Sequence, residues 1–103
     1  MGTMILVLTT YPDRKSAGDA AKRFVKTDLA ACVSIVRVES SIYKWKGIVK
    51  EEGEFMLKIK AKSENYARLE LAIRAGHPYH LPEIIRINAD AALSDYLDWV
   101  RGK

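Results

Sequence analysis

The sequence predicts an α+β fold in which helices cover one face of an antiparallel sheet. The first observation is the spacing of the apolar residues, which changes between strand and helix periods in the order β, α, β, β, α, β, α. The second is a long stretch, residues 40–62, with the pattern of a β-hairpin. The third is that two strands are apolar on both faces. The first six elements have the βαββαβ order of the ferredoxin-like sandwich, and a short C-terminal helix follows them.

The first strand is predicted over Met4–Thr10, where apolar residues occupy both faces. A strand of this kind is covered on both sides, which predicts a buried position in the sheet. Asp13 or Ser16 can cap the helix that follows, because their side-chain oxygens accept from free backbone N–H groups. Apolar residues at helical spacing, with lysine and arginine mostly opposite, predict this helix over about Arg14–Thr27.

The second strand is predicted over Ala31–Val38 and is also apolar on both faces. The hairpin of residues 40–62 follows, rich in β-branched and aromatic residues in its first half and strictly alternating in its second half. Its turn is predicted at Lys50–Gly53, and Gly47 is interpreted as a bulge or a close backbone contact. Strands this long are unusual in a small domain. The hairpin is therefore predicted to lie against other copies of the chain.

The C-terminal part predicts two helices, a rigid loop and one more strand. Ser63 can cap a helix over about Glu64–Ala75, and Gly76 is the residue expected just past its end. The segment His77–Pro82 is predicted to be rigid because its two prolines fix backbone angles. The last two elements are a strand and a short helix, over Glu83–Asn88 and Asp95–Arg101.

Size and composition predict one globular domain over residues 4–101, with residues 1–3 interpreted as a leader. The net charge of +4 is more typical of a solubility feature than of a nucleic-acid surface. One cysteine allows no internal disulfide, and the apolar run at residues 4–8 is too short to cross a membrane. These observations predict a cytoplasmic protein with neither nucleic acid nor membrane among its partners.

The two larger predicted helices can cover only one face of the sheet. Because two strands are apolar on both faces, the second face is predicted to be buried against copies of the same chain. The prediction is a homo-oligomer with its sheets packed inward.

Four short blocks in a fixed order carry a family resemblance: Ala31-Cys32-Val33, Ser41-x-Tyr43-x-Trp45-x-Gly47, His77-Pro78-Tyr79-x-x-Pro82-Glu83-Ile84 and Tyr96-Leu97-x-Trp99. With these blocks the chain resembles the CutA family of divalent-cation tolerance proteins over nearly its whole length. The resemblance implies a ferredoxin-like fold and a tight homotrimer similar in architecture to the PII signalling proteins. It also implies a role in tolerance of copper and other divalent metals, with copper binding, and it implies no catalytic activity.

The candidate metal ligands are Cys32, His77 and His80, since thiolate suits copper(I) and imidazole suits copper, zinc and nickel. Some family members carry a cysteine where this chain has Thr9 and a second histidine where it has Gly76, so fewer ligands remain here. A tight site needs three or four ligands. The expected cofactor is therefore copper or another divalent cation, weakly bound, with ligands repeated by the trimer. The alternative is that Cys32 packs as a small apolar residue, His77 caps its loop and His80 is solvated.

A second candidate group combines aromatic side chains with one acid and one base: Tyr43, Trp45, Lys58, Tyr79 and Glu83. Such a mixture can line a ligand cleft. The alternative is that Tyr43 and Trp45 anchor a subunit interface, and both interpretations hold if the cleft lies between subunits.

The sequence is compatible with three classes of function. The first is a metal-tolerance trimer. The second is a PII-like regulator that binds a small ligand between subunits and signals to a partner protein, although no glycine-rich phosphate loop supports a nucleotide. The third is a single-stranded nucleic-acid binder, for which the predicted strands lack the aromatic and glycine pattern.

Overall fold

The computed structural model describes residues 3–102 and confirms the α+β, ferredoxin-like fold. Its elements are β1 (Met4–Tyr11), α1 (Arg14–Lys26), β2 (Cys32–Trp45), β3 (Ile48–Lys62), a 3-10 turn (Ser63–Asn65), α2 (Tyr66–Gly76), β4 (Ile85–Asn88) and α3 (Ser94–Val100). The four strands form one antiparallel sheet in the order β2-β3-β1-β4. The central strand β1 is therefore flanked by two strands that come later in the chain.

The core lies between the sheet and the helices α1 and α2. Alternation along β3 is as predicted, because Leu57, Ile59 and Ala61 are buried whereas the lysines between them are only partly covered. Phe24 of α1 is completely buried among these side chains. The other fully buried large residues are Ile5, Val7, Thr9, Tyr11, Leu69 and Ile73. This packing fixes both helices on one face of the sheet.

The hairpin turn predicted at Lys50–Gly53 is wrong. The β2–β3 hairpin, called the arm below over residues 40–54, turns instead at Lys46 and Gly47, whose φ angles are 51° and 80°. Two consecutive positive φ angles are what a two-residue type I′ turn requires, and such turns match the twist of the strands they join. The asparagine or aspartate usual at the first position is a lysine here, so the turn was hard to recognise.

Gly53 belongs to an irregularity in the arm and not to its turn. The register of β2 against β3 shifts between Val38 and Ser41, opposite this glycine. A Cβ atom at Gly53 would lie 3.3 Å from the backbone oxygen of Glu39, closer than ordinary packing allows. Glycine is therefore used where one backbone approaches another, as at many bulges.

The predicted second strand, Ala31–Val38, continues into the first strand of the hairpin, so that both form β2, and other predicted boundaries shift by a few residues. The Asp13 cap of α1 is confirmed, because its carboxylate accepts from the backbone N of Ser16 at 2.7 Å. Ser63 does not cap α2, since a 3-10 turn comes first, and Gly76 is the last helical residue and not the one after it. Strand β4 starts at Ile85, two residues later than predicted. The preceding Pro82 has no N–H group to donate to a neighbouring strand.

The chain ends of the described region are tied together. The backbone oxygen of Thr3 accepts from the backbone N of Ser63 and from Arg101 Nη1, both at 3.0 Å. The Arg101 guanidinium also makes two hydrogen bonds to the carboxylate of Glu64, at 3.0 and 2.8 Å. Of the predicted leader, Met1 and Gly2 lie outside the described residues.

The sheet face turned away from α1 and α2 is called the open face. Its residues, identified from the strand register, include Leu6 and Leu8 of β1, Ile85 and Ile87 of β4, Met56, Lys58 and Lys60 of β3, and Cys32, Ser34 and Val36 of β2. Leu6 and Leu8 are partly covered, whereas Ile85 and Ile87 are exposed within one chain. The apolar second face predicted from the sequence is therefore present on β1 and β4.

Candidate functional site

A cleft of about 510 Å³ lies between the arm and the loop before β4. Its lining residues are Thr10, Ser41, Ile42, Tyr43, Trp45, Lys50, Glu54, Tyr79, His80, Leu81 and Glu83. Tyr43 and Trp45 come from the arm and Tyr79 and Glu83 from the loop before β4, and the fold brings these predicted residues to one place. Their role as a ligand site stays a prediction.

Lys58 is the exception among the predicted cleft residues. It lies opposite Leu8 and Ser34 on the open face, away from the cleft. Two charged residues that were not predicted from the sequence, Lys50 and Glu54, line the cleft instead. Lys50 stands directly across the arm from Tyr43, so a correct placement of the turn would have found it.

Tyr79 connects the loop wall of the cleft to the arm wall. Its hydroxyl donates to a carboxylate oxygen of Glu54 at 2.7 Å, and its backbone N–H donates to His77 Nδ1 at 3.1 Å. Burial, together with the hydrogen bond to Glu54, raises the pKa of Tyr79. The phenol therefore stays protonated and holds the loop in place at neutral pH.

Tyr43 is held in a similar way on the arm. Its hydroxyl donates to the carboxylate of Glu52, and this hydrogen bond raises the pKa of Tyr43. The two tyrosines that face the cleft are therefore both neutral hydrogen-bond donors, and each is already directed at a carboxylate.

His77 lies behind the cleft wall. Its ring stacks on Tyr11 with the ring centres 4.3 Å apart and is tilted against Tyr79 at 5.2 Å. Nδ1 accepts from the backbone N–H of Tyr79, and Nε2 lies 3.3 Å from Thr9 Oγ1. Burial lowers the pKa of His77, although the backbone of Thr10 and the charge of Glu54 act in the opposite direction. Both ring nitrogens thus have partners in the neutral form.

The three candidate metal ligands are not brought together in one chain. His80 is exposed in the cleft, and His77 contacts residues of β1 whose side chains face the helices. Cys32 lies on the open face, with its sulfur 3.6 Å from Lys60 Nζ. Residues 3–102 contain no group of three or more histidine, cysteine, aspartate or glutamate residues placed to hold a metal ion.

Nearly the whole sequence matches one known protein family. The CutA1 divalent ion tolerance protein family matches residues 5–103. The chain belongs to the CutA1 family. Among CutA relatives, the divalent-cation tolerance protein of Thermus thermophilus is 40% identical over 96 residues, which covers 93% of each chain.

Two further CutA proteins show how far the similarity extends. Human protein CutA is 35% identical over 100 residues, and the match covers 97% of this chain but 56% of the human protein. This chain therefore spans about half the length of that relative. The solved structure of the periplasmic divalent cation tolerance protein CutA from Archaeoglobus fulgidus has a TM-score of 0.92 at 32% identity, with 95% of both chains covered.

The CutA blocks quoted from the sequence lie at connected positions in the structure. The block around Tyr43 forms the β2 strand of the arm and its turn, and the block from His77 to Ile84 forms the loop before β4. Two of the four blocks thus build the two walls of the cleft.

Location in the cell stays a prediction for this CutA1 protein. No helix within residues 3–102 is both long and apolar enough to cross a bilayer. One matched CutA structure is described as periplasmic.

Stability is expected to fall below neutral pH because of His77. Its pKa in the folded chain lies below the ordinary 6.5, so the unfolded chain binds the proton more readily. The stabilisation is fully present above pH 6.5 and is lost as the pH falls through the folded pKa. Urea unfolding at several pH values should show a smaller loss on acidification for His77→Gln than for the wild type.

The other histidine provides a matched control. His80 is exposed, so His80→Gln should keep the wild-type dependence of the urea midpoint on pH. An identical pH dependence for His77→Gln and the wild type would contradict the role assigned to the buried ring.

Proposed function

We propose that this CutA1 family protein is a homotrimer that acts in tolerance of divalent metal ions and binds copper or a related cation weakly. The family match over residues 5–103 supports this proposal, together with relatives named as divalent-cation tolerance proteins. The proposed location is the cytoplasm, and neither nucleic acid nor membrane is proposed as a partner. The names of the CutA relatives describe no enzyme, and no catalytic activity is proposed.

The trimer is supported by apolar surface that one chain leaves uncovered. Ile85 and Ile87 are exposed on the open face, and Ile42, Ile48 and Val49 are largely exposed at the end of the arm. Strands β2 and β4 form the two edges of the sheet, so each has one side without a neighbouring strand in residues 3–102. Contiguous apolar patches and free edges of this kind are typical of association surfaces.

Weak metal binding is supported by the donor groups and by symmetry. One chain supplies Cys32 and the exposed His80, whereas both nitrogens of His77 already have partners. A trimer with threefold symmetry repeats each donor three times. One donor from each chain would therefore supply the three ligands that a copper or zinc site requires.

Copper titration tests this proposal. Cys32→Ser is expected to weaken copper(I) binding by about tenfold or more, because loss of even a supporting residue commonly costs that much. The same titration of His80→Ala and His77→Ala, with copper(I) and copper(II), shows which histidine ring binds copper. His77→Ala is expected to have the smallest effect, because both ring nitrogens of His77 already have partners.

Ser34→Ala is the matched control, since Ser34 lies two residues from Cys32 on the same face of β2 and shares its contact with Lys60. Its copper affinity should equal that of the wild type. Equal affinities for all four variants and the wild type would contradict metal binding by these residues.

A second candidate function is that of a PII-like regulator that takes a small ligand in the cleft and passes a signal to a partner protein. The cleft itself favours it, because its volume of about 510 Å³ lies in the usual range for small-molecule sites. Its walls combine aromatic side chains with a few charged groups, as ligand sites commonly do. If Tyr43 and Trp45 also anchor the proposed trimer, this cleft lies between subunits.

A further inference from the structure

The charge of the cleft is opposite to that of the protein. The chain has a net charge of +4. The cleft walls carry two carboxylates, Glu54 and Glu83, against one ammonium group, Lys50, so their net charge is −1 with His80 neutral. Glu52 lies beside them and accepts from Tyr43. A cleft of opposite sign to the rest of its surface concentrates ligands of the complementary charge.

Aromatic faces add to this preference. Tyr43 and Trp45 are each 39% exposed, so their rings remain available to a ligand in a single chain. Cations are attracted to the negative faces of tryptophan and tyrosine rings, by about 0.5–2 kcal/mol according to how far they are desolvated. An anion would meet the carboxylates and the same negative ring faces, and the cleft lining offers it one lysine and no arginine.

We propose that the cleft binds a small organic monocation, an amine or a quaternary ammonium compound, between the rings of Tyr43 and Trp45 and the carboxylates of Glu54 and Glu83. This inference rests on the second candidate function, in which the cleft is a ligand site. An apolar body of the cation would contact Ile42 and Leu81, which line the same cleft.

An organic cation fits these walls better than a metal ion does. A divalent metal needs several oxygen, nitrogen or sulfur ligands at about 2 Å. Aromatic rings supply none, and the described residues hold no cluster of three or more metal-binding side chains. Glu54 already accepts a hydrogen bond from Tyr79, so this carboxylate has fewer free lone pairs to offer a metal ion.

The cleft is also preorganised for binding, because its two walls are already connected. The Tyr79–Glu54 hydrogen bond of 2.7 Å joins its two walls, and His77 fixes the backbone of Tyr79 from behind. A ligand would therefore spend little of its binding free energy on ordering the loop.

Fluorescence of Trp45 provides a direct test, because the chain has two tryptophans and only Trp45 lines the cleft. In a Trp99→Phe background, choline is expected to change the emission of Trp45 saturably. Its uncharged carbon analogue, 3,3-dimethylbutanol, should bind about tenfold more weakly, the loss expected for about 1.4 kcal/mol of cation recognition. A Trp45→Phe variant, which keeps Trp99, should show no response to choline.

Glu83→Gln in the same background should weaken choline binding by about tenfold, since it removes one of the two carboxylates. Glu51→Gln is the matched control, because Glu51 belongs to the arm but does not line the cleft. Equal binding of choline and its uncharged analogue would overturn the inference, as would equal effects of the two substitutions.

Acetate, a small anion, tests whether the cleft binds ligands of the opposite charge. A saturable response to acetate but not to choline would leave the ligand cleft standing and would overturn the cationic class. No saturable response to any probe up to about 10 mM, the range of weak small-ligand binding, would overturn both. Loss of the trimer in a Trp45→Ala variant would then assign these walls to the subunit interface.

Discussion

Ile87→Asp is expected to convert the proposed trimer into monomers at micromolar concentration. Ile87 is 43% exposed in one chain and stands opposite Leu6 on the open face, which the proposed trimer buries. A carboxylate buried there without a partner costs several kcal/mol. A cost of 3 kcal/mol corresponds to about a 100-fold loss in association constant. Sedimentation velocity should show the wild type at three times the chain mass of 11.6 kDa and the variant at one chain mass.

Leu71→Asp makes the same chemical change on the opposite side of the molecule. Leu71 is 68% exposed on the outer side of α2, so this variant should keep the mass of the wild type. Circular dichroism of both variants checks that each chain remains folded. A wild-type protein that sediments as a folded monomer would contradict the trimer, and a trimeric Ile87→Asp variant would contradict the open face as its interface.

Phe24→Ala is expected to produce the largest loss of stability from a single substitution in the core. The side chain of Phe24 is 0% exposed and packs among residues of β1, β3 and α2. Truncation of a buried phenylalanine to alanine costs about 3–5 kcal/mol, because burial is lost and the cavity does not close fully. Urea unfolding at one fixed protein concentration measures this loss, since the stability of an oligomer depends on concentration.

The next residue of α1 is the comparison. Val25 is 40% exposed, so Val25→Ala should cost about 1 kcal/mol or less. Similar losses for the two substitutions would mean that α1 does not pack on the sheet through the face described here.

The element order could be predicted from the sequence because apolar residues recur clearly at the strand spacing of two residues and at the helical spacing of three to four. Along β3, alternation marks the buried face without ambiguity, and in α1 the cap at Asp13 agrees with the helical spacing that follows it. Local preference and tertiary packing point the same way in these segments, which is the condition for a reliable prediction. The fold class and the family follow from them.

The turn of the arm could not be placed, and part of the candidate cleft was missed for that reason. The charged run that ends at Gly53 has the composition of a turn, but this glycine lies where β3 passes close to Glu39. The true turn at Lys46 and Gly47 fixes the register that sets Tyr43 opposite Lys50. Cross-strand neighbours depend entirely on register, so a misplaced turn hides them even when both strands are correct.

Lys58 is predicted to join the aromatic residues because it is a base and belongs to the same hairpin as Tyr43 and Trp45. In the sheet it lies on the same face as Lys60, further along β3 from the arm, with Leu8 and Ser34 as its neighbours. The residue type alone does not show how far along β3 a lysine lies from the cleft. The residues of β3 that line the cleft, Lys50 and Glu54, both belong to the arm.

The position of β1 in the sheet has a consequence for the synthesis of the protein. Of the four strands, β1 is synthesised first, yet both strands that pair with it, β3 and β4, come later, and the last of them ends at Asn88. Translation proceeds at about 5–20 residues per second, so β1 waits for several seconds with neither neighbour complete. During that interval Leu6 and Leu8 have no β4 beside them, and the four-stranded sheet can form only after Asn88 has been synthesised.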